Sequence, residues 1–441
     1  MNRVHTLCGP ILCLLVFSAL PAQQPAASVE LPSRPFAIKQ SWTIGGTGSW
    51  DYLTMDAQAD RLYIAHGHSV QVVDVKAGSV VGEIGGLGEA HCIALDDTGE
   101  FGYVSDGLGG KVIVFDRRTL ATVATVEDIP SPHALVFEPQ TRLLFAVRTD
   151  PVKTPPAPQQ PLTTRHITPR RQPAPPPPAD PRAASSITVI DTRSNTALGQ
   201  ILVSGHLGTA QADSRGSLYV AVTDRNQIAA IDTQAAYAML QRQAQKPAPT
   251  VQREALQNQP HKPAVPMHQT EPKPADKSNS WTSLDWTDGQ PGQLRSFNAG
   301  RQCSDPRGLA VDPAHTRLFV ACASMQLAVL NAANGDLVSS LPIGPGVGSI
   351  AYDPNRNLIY SANGGADGSL TVIHQDANDS YAVLQILPTR QRARTLAVDP
   401  ETGLVYLVTD MLGIELGKTG GIGTLTTNPV NGSFSVFVVG N

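Results

Sequence analysis

Aromatic side chains are scarce in this chain. Phe, Trp and Tyr make up 5% of its 441 residues, too few for a platform of exposed rings that stacks on sugars or on a quinone. A dominant charge is missing too. Lys and Arg number 33 against 37 Asp and Glu, a formal net charge of −4, which argues against nucleic acid or an anionic membrane as the main partner. The strongest apolar run, residues 11–20, has 10 residues, against the ~20 that a transmembrane helix needs. The helical zinc-protease motif, the nucleophile-elbow serine motif and the CxxCH haem-attachment motif are all absent. GIELGKTG, residues 413–420, is one residue short of phosphate-loop glycine spacing and no helical pattern follows it; a flexible loop is expected there.

Cysteine is sparse as well, with five in all. Two of them lie in the N-terminal segment. There Arg3 and His5 precede the apolar run, and Pro21, Ala22 and a Gln/Pro/Ala-rich stretch follow it. This order reads as a secretory signal peptide over residues 1–22, cut after Ala22, with a membrane anchor as the competing reading. Cys13 follows Leu12 rather than a small residue, which speaks against a lipoprotein anchor. The mature chain is then expected in the periplasm or outside the cell, with no membrane span. Cys92, Cys303 and Cys322 remain there, an odd number in an oxidising compartment. Cys303 just precedes one expected strand and Cys322 ends the next, so antiparallel pairing would bring them to one edge, where a disulfide is allowed and not required. Buried small hydrophobes are the alternative for all three.

What the chain does have is a repeat, clearest in RGLAVDPAHTRLFVACASMQLAVLNAANGDLVSSLPIGPG, residues 307–346. It reads as four short strands separated by turns. The acid that ends each first strand marks the copies: Asp56, Asp96, Glu138, Asp213, Asp312, Asp353 and Asp399, at gaps of 40, 42, 75, 99, 41 and 46 residues. A four-stranded unit of roughly 40 residues cannot bury its apolar face alone and must stack with copies, which is the signature of a propeller blade. The surplus in the two long gaps is rich in Pro and Gln, so these are insertions and the count is seven. The fold expected is all-β, a seven-bladed β-propeller of four-stranded antiparallel blades over residues 37–441, after a flexible linker at 23–36. The last blade lacks a fourth strand, and AIKQSWTIG near the N-terminus resembles one; that strand closes the ring and removes an open edge.

The segments LYIAHGHSVQVVDVKAGSVVGEI, GYVSDGLGGKVIVFDRRTLATVATV, LYVAVTDRNQIAAIDTQ and IYSANGGADGSLTVI resemble the YVTN repeats of YncE-like β-propellers, found widely in secreted bacterial proteins. The resemblance covers the chain from about residue 37 onward, apart from the insertions. It implies the fold; propellers host lyases, lactonases, dehydrogenase subunits and binding platforms on one scaffold, so it names no activity.

The first insertion, residues 151–184, lies between the second and third strands of the third blade and is too proline-rich to join a sheet. The second, residues 235–293, lies between the third and fourth strands of the fourth blade. In it AAYAMLQRQAQ is expected as a short helix, and WTSLDWTDGQ could tuck Trp281 or Trp286 against the propeller side. The two arms leave on opposite faces.

Five residues before each marker acid stands the residue that opens the first strand at the channel mouth: Asp51, His91, His133, Gly208, Arg307, Gly348 and Arg394. Five of these seven are ionisable and converge on one axis. The loops between second and third strands open on the same face, with His66 and His68 in the first blade, Asp106 in the second, and Asn363 and Asp367 in the sixth. His66, His68, His91 and His133 with Asp51 are ligand types for a zinc or copper ion, and histidines at i and i+2 of an extended strand share a side. The plain alternative is a set of histidines meeting water or each other. Arg307 and Arg394, across the ring, can clamp a carboxylate or phosphate while His91 or His133 acts as acid or base.

These readings lead to a non-enzymatic binding or scaffold protein of the cell envelope. It is expected to be monomeric, with a protein, cell-wall or small-molecule partner and no cofactor beyond the possible divalent metal. A hydrolase or lyase acting on a small anionic substrate at the funnel is the alternative.

Overall fold

The structure, a computed structural model, describes residues 34–149, 184–244, 283–286, 294–365, 367–376, 379–419 and 422–441. The segment read as a signal peptide, nearly all of the expected linker, and the expected proline-rich arm except Ala184 fall outside these residues.

Seven antiparallel sheets follow one another along the chain. The repeat is plainest in the fifth, Pro306–Asp312, Arg317–Cys322, Gln326–Asn331 and Leu337–Pro342, paired in sequence order. The first strands are Trp50–Asp56, Ala90–Leu95, Pro132–Glu138, Leu207–Ala212, Pro306–Asp312, Val347–Asp353 and Leu396–Val398. Each touches the next, and the seventh touches the first. The sheets therefore form a closed seven-bladed β-propeller with the first strands lining its axis.

The core is divided among the blade interfaces. Each of seven apolar clusters joins two neighbouring blades. One aromatic per blade, at the same place in the second strand, anchors this packing: Tyr63, Tyr103, Phe145, Tyr219, Phe319, Tyr360 and Tyr406, none more than 2% exposed. Fully burying one Phe side chain contributes roughly 1.5–3 kcal/mol. A blade cannot hide such a ring by itself, so the ring makes neighbouring blades interdependent.

The marker acids have a structural task. Asp56, Asp96, Glu138, Asp312, Asp353 and Asp399 are buried, and their carboxylates accept backbone N–H groups of the turn that follows, from Ala59, Gly99, Thr141, Ala314, Asn355 and Glu401 respectively. A buried carboxylate is tolerated where such donors satisfy it.

The last blade is completed by the strand Ala37–Thr43, antiparallel to Ser435–Gly440. Phe36, placed in the linker from the sequence, is pinned: its N–H donates to Gln385 Oε1 at 2.7 Å and its carbonyl accepts from Gln385 Nε2 at 2.8 Å. Cys303 and Cys322 form a disulfide with Cα atoms 5.3 Å apart; Cys92 is free and buried.

Two segments differ from expectation. The stretch read as a flexible glycine-rich loop is a hairpin, Leu412–Thr419 paired with Ile422–Pro429. In the second insertion the expected short helix does form, as Thr233–Ala244, and packs Ala236 and Leu240 against the third and fourth blades. Farther along it, Ser283–Trp286 adds a fifth, parallel strand to the third blade. Trp286 thus meets Val203 through backbone register, and Trp281 lies outside the described residues. A half-alternating strand pattern of only four residues carries too little signal to be read in a low-complexity stretch.

Candidate functional site at the funnel mouth

A bulge aims the mouth residues inward. In six blades the ladder between first and second strands slips by one residue just after the first strand begins, between Trp50 and Leu53, Ala90 and Ile93, Pro132 and Ala134, Leu207 and Ala210, Pro306 and Gly308, and Val347 and Ser349. Inside the slips stand Asp51, His91, His133, Gly208, Arg307 and Gly348, in the first, second and fourth blades together with the residue that follows, Tyr52, Cys92 or Thr209. An extra residue bends the strand and redirects its side chain, so the ring of six positions is presented to the axis by one repeated device. Arg394 takes the seventh place, two residues ahead of its short strand.

These residues surround a cavity of about 640 Å³, lined by Asp51, His133, Gly208, Arg307, Gly348 and Arg394 together with Tyr52 and Thr395. Below it, a second cavity of about 350 Å³ runs along the axis between apolar first-strand residues such as Ile93, Leu135, Leu309 and Ile350.

Asp51, His91 and His133 form one cluster. His91 Nδ1 lies 2.9 Å from Asp51 Oδ2 and His133 Nε2 lies 3.2 Å from the same oxygen. The two imidazoles stack with centroids 4.3 Å apart, and Glu89 Oε2 stands 3.6 Å behind His91 Nε2. Burial by itself would raise the Asp51 pKa, but hydrogen bonds from His133 and His91 outweigh it and hold the carboxyl below its ordinary value. Burial likewise opposes the charged form of His91, and its bond to Asp51 reverses that, leaving the imidazole pKa raised. His133 Nδ1 is buried without a hydrogen-bond partner.

Opposite stands the cationic side of the mouth. Arg307 is tied to Asp305 Oδ2 at 2.5 Å. Arg394 is exposed in the cavity, and room for it is made by Gly348, where a Cβ would lie 2.6 Å from the Arg394 carbonyl oxygen and 3.0 Å from its Cβ.

No family model matches the chain, and no curated protein matches it. Solved structures do. A chain of the mitotic checkpoint complex aligns at a TM-score of 0.56 and 13% identity, covering 89% of this chain and 96% of that one. The WD40 repeats of RRP9 align at 0.57 and 10%, covering 90% and 96%. U3-55K aligns at 0.56 and 10%, covering 89% and 96%. The likeness is one of fold, a WD40-like β-propeller.

Several residues read as mouth ligands stand elsewhere. His66 and His68 do not join the cluster. His66 ends its strand, is 4% exposed, packs with its ring tilted against Phe434, centroids 4.0 Å apart, and meets Gln71 Oε1 through Nδ1 at 2.9 Å. His68 is exposed and its Nδ1 lies 2.5 Å from the Gly88 carbonyl. The extended spacing that would align them is broken by Gly67, whose φ of 62° turns the hairpin. Asp106 is buried and spends its oxygens on the N–H groups of Gly88, Glu89 and Gly109. Asn363 is buried and donates to Ser361 and Thr371, while Asp367 is exposed.

Other neighbours of the site were not singled out from the sequence. Tyr52 is half-buried beside Asp51 on the cavity wall, packs edge-on to His133 at 5.9 Å, and desolvation raises its phenol pKa. It shares a bulge with Asp51, and a bulge leaves no mark in an alternating pattern. Cys92, next to His91, is a buried thiol pushed up to about 12 by desolvation, an inert filler rather than a nucleophile.

Proposed function

We propose that this protein is a YncE-like propeller of the bacterial cell envelope, secreted to the periplasm or beyond, that binds a small anionic ligand at its funnel mouth. The observation that carries this reading is Arg394, an exposed guanidinium held in a cavity of about 640 Å³ whose lining acid, Asp51, is already engaged by two histidines. A cavity of this size suits a small molecule, and a guanidinium suits a carboxylate or phosphate. The repeat segments quoted above support the family reading. The disulfide Cys303–Cys322 supports export, because disulfides persist in oxidising compartments. No described helix is long and apolar enough to cross a membrane.

A second reading, a hydrolase or lyase, is favoured by one feature, the pairing of His91 and His133 on a single carboxylate, which puts His133 on the cavity wall as an acid or base with Asp51 and His91 behind it. The test for both is one experiment. Small carboxylates and phosphate esters are screened for a rise in melting temperature and then for turnover. Arg394→Ala should weaken binding of any hit at least about tenfold, the worth of one hydrogen bond to a charged group; Gly348→Ala, which displaces Arg394, should do the same. A hit that binds the Arg394→Ala variant equally well sinks the reading. Turnover lost in His133→Ala with binding retained moves the assignment to the enzyme.

A further inference from the structure

The Asp51–His91–His133 cluster carries a more specific conclusion. We propose that these three side chains hold one divalent transition-metal ion, with its remaining coordination positions open to the funnel.

Four observations point there. First, the donors are the right kind, two imidazole nitrogens and one carboxylate, and all three ligand atoms lie within 4.8 Å of one another. This is the only such group of His, Cys, Asp and Glu among the described residues. Second, their spacing suits an ion. Bonds of about 2.0–2.1 Å in a tetrahedral site put neighbouring ligand atoms about 3.3–3.4 Å apart. The two nitrogens stand 2.9 and 3.2 Å from Asp51 Oδ2, so an ion replaces two shared protons with small side-chain movements. Third, both histidines converge on one carboxylate oxygen instead of dividing themselves over two, and their rings stack face to face. Two bulky donors crowded on one acceptor is the arrangement a common cation would impose. Fourth, a carboxylate backs the first histidine: with His91 Nδ1 on the metal, Nε2 faces Glu89 Oε2 at 3.6 Å, the outer partner that orients metal-bound imidazoles.

The scaffold explains how the set is kept in place. The three residues occupy the bulges of three consecutive blades, one, two and three, so their positions are set by strand ladders and not by a mobile loop. Asp51 and His133 line the funnel cavity and His91 does not, which leaves the open coordination on the cavity side, toward Arg394. Two positive centres across one small cavity would grip the two ends of a dianion or the two oxygens of a carboxylate. The metal site stands on its own geometry; the ligand it serves rests on the reading given under Proposed function.

The test uses the full secreted chain purified without a histidine tag, stripped with a chelator and titrated with Zn²⁺ by calorimetry. One equivalent should bind, and His91→Ala or His133→Ala should weaken it at least about 100-fold, since loss even of an outer partner costs 10–100-fold. Arg394→Ala should leave Zn²⁺ affinity within about twofold while weakening anion binding at least about tenfold. Co²⁺ should give intense visible absorption in the wild type. Should a histidine variant fail to fold, carbethoxylation of the wild type mapped by mass spectrometry decides the matter. Zn²⁺ should protect His91 and His133 and leave the exposed His68 and His315 reactive. A titration with no one-site binding, a site that survives the His91→Ala/His133→Ala double variant, or protection that spares neither histidine overturns the proposal. Zn²⁺ binding without any anion response refutes the ligand reading and leaves the metal site standing; an anion response without Zn²⁺ binding does the reverse.

Discussion

Arg117 shows how single residues bind blade to blade. Its Nη2 lies 2.6 Å from Asp56 Oδ2 in the first blade, and its Nη1 donates to the Asp96 carbonyl at 3.1 Å within its own blade and stands 3.5 Å from the Asp96 carboxylate. All three side chains are under a tenth exposed. Both acids also cap their own turns, so each carboxylate is committed at both ends. Truncating the cation leaves two buried negative charges with half their partners. Arg117→Ala should therefore destabilise the protein by about 3–5 kcal/mol, the range for breaking a buried ion pair, read as a drop in the urea midpoint at unchanged slope. A loss below about 1 kcal/mol would mean that the turn amides alone satisfy Asp56 and Asp96.

At the scale of elements, the fifth blade carries a covalent brace. Cys303 precedes its first strand and Cys322 ends its second, opposite Pro306, and both are buried. Closing a loop of 19 residues restricts the unfolded chain, worth about 3 kcal/mol by the loop-entropy relation. Cys303→Ala/Cys322→Ala should lower stability by about that amount in oxidised samples, and dithiothreitol should do the same to the wild type and nothing further to the variant. The same elements show what a sequence can disclose. Four strands per unit, seven units and the borrowed first strand were legible because alternation and turn residues act locally and repeat. The ring of mouth positions was legible too, by counting back from Asp56, Asp96 and their counterparts. The bulges that aim Asp51, His91 and His133 inward were not, because a bulge is a relation between two strands. Nor was the fate of His66 and His68: their spacing suggested one face, and the turn made at Gly67 buried one and exposed the other. Asp106 and Asn363 were misread for a related reason. A polar residue beside a loop serves backbone amides or neighbouring hydroxyls as readily as it serves a ligand, and only the fold shows which.

For the whole molecule, everything at the mouth depends on a ring that stays closed. Closure rests on seven apolar interfaces of similar make and on one non-local pairing, Ala37–Thr43 against Ser435–Gly440. That strand is itself largely exposed, so it contributes little core; what it does is occupy the hydrogen-bonding edge of a strand whose six residues are all buried. Without it the seventh blade ends in an open, apolar edge, a template for pairing with a second molecule. Removing residues 37–43 should leave the blades able to fold, since of their clusters it takes away only Trp42 at the edge of one, but should convert the protein to dimers or larger species by strand exchange. Size-exclusion chromatography with light scattering would read this directly, and a synthetic peptide of residues 35–44 should restore the monomer. The mouth should suffer along with the ring. Asp51 lies in the first blade, and Arg394 leads into the seventh. A seam that opens between those blades separates the acid from the guanidinium it faces across the cavity. Anion binding should thus fall in the truncated chain and return with the peptide. A truncated chain that remains monomeric and binds as before would mean that the interface between the first and seventh blades, built on Trp50, Tyr406 and Phe434, closes the ring unaided.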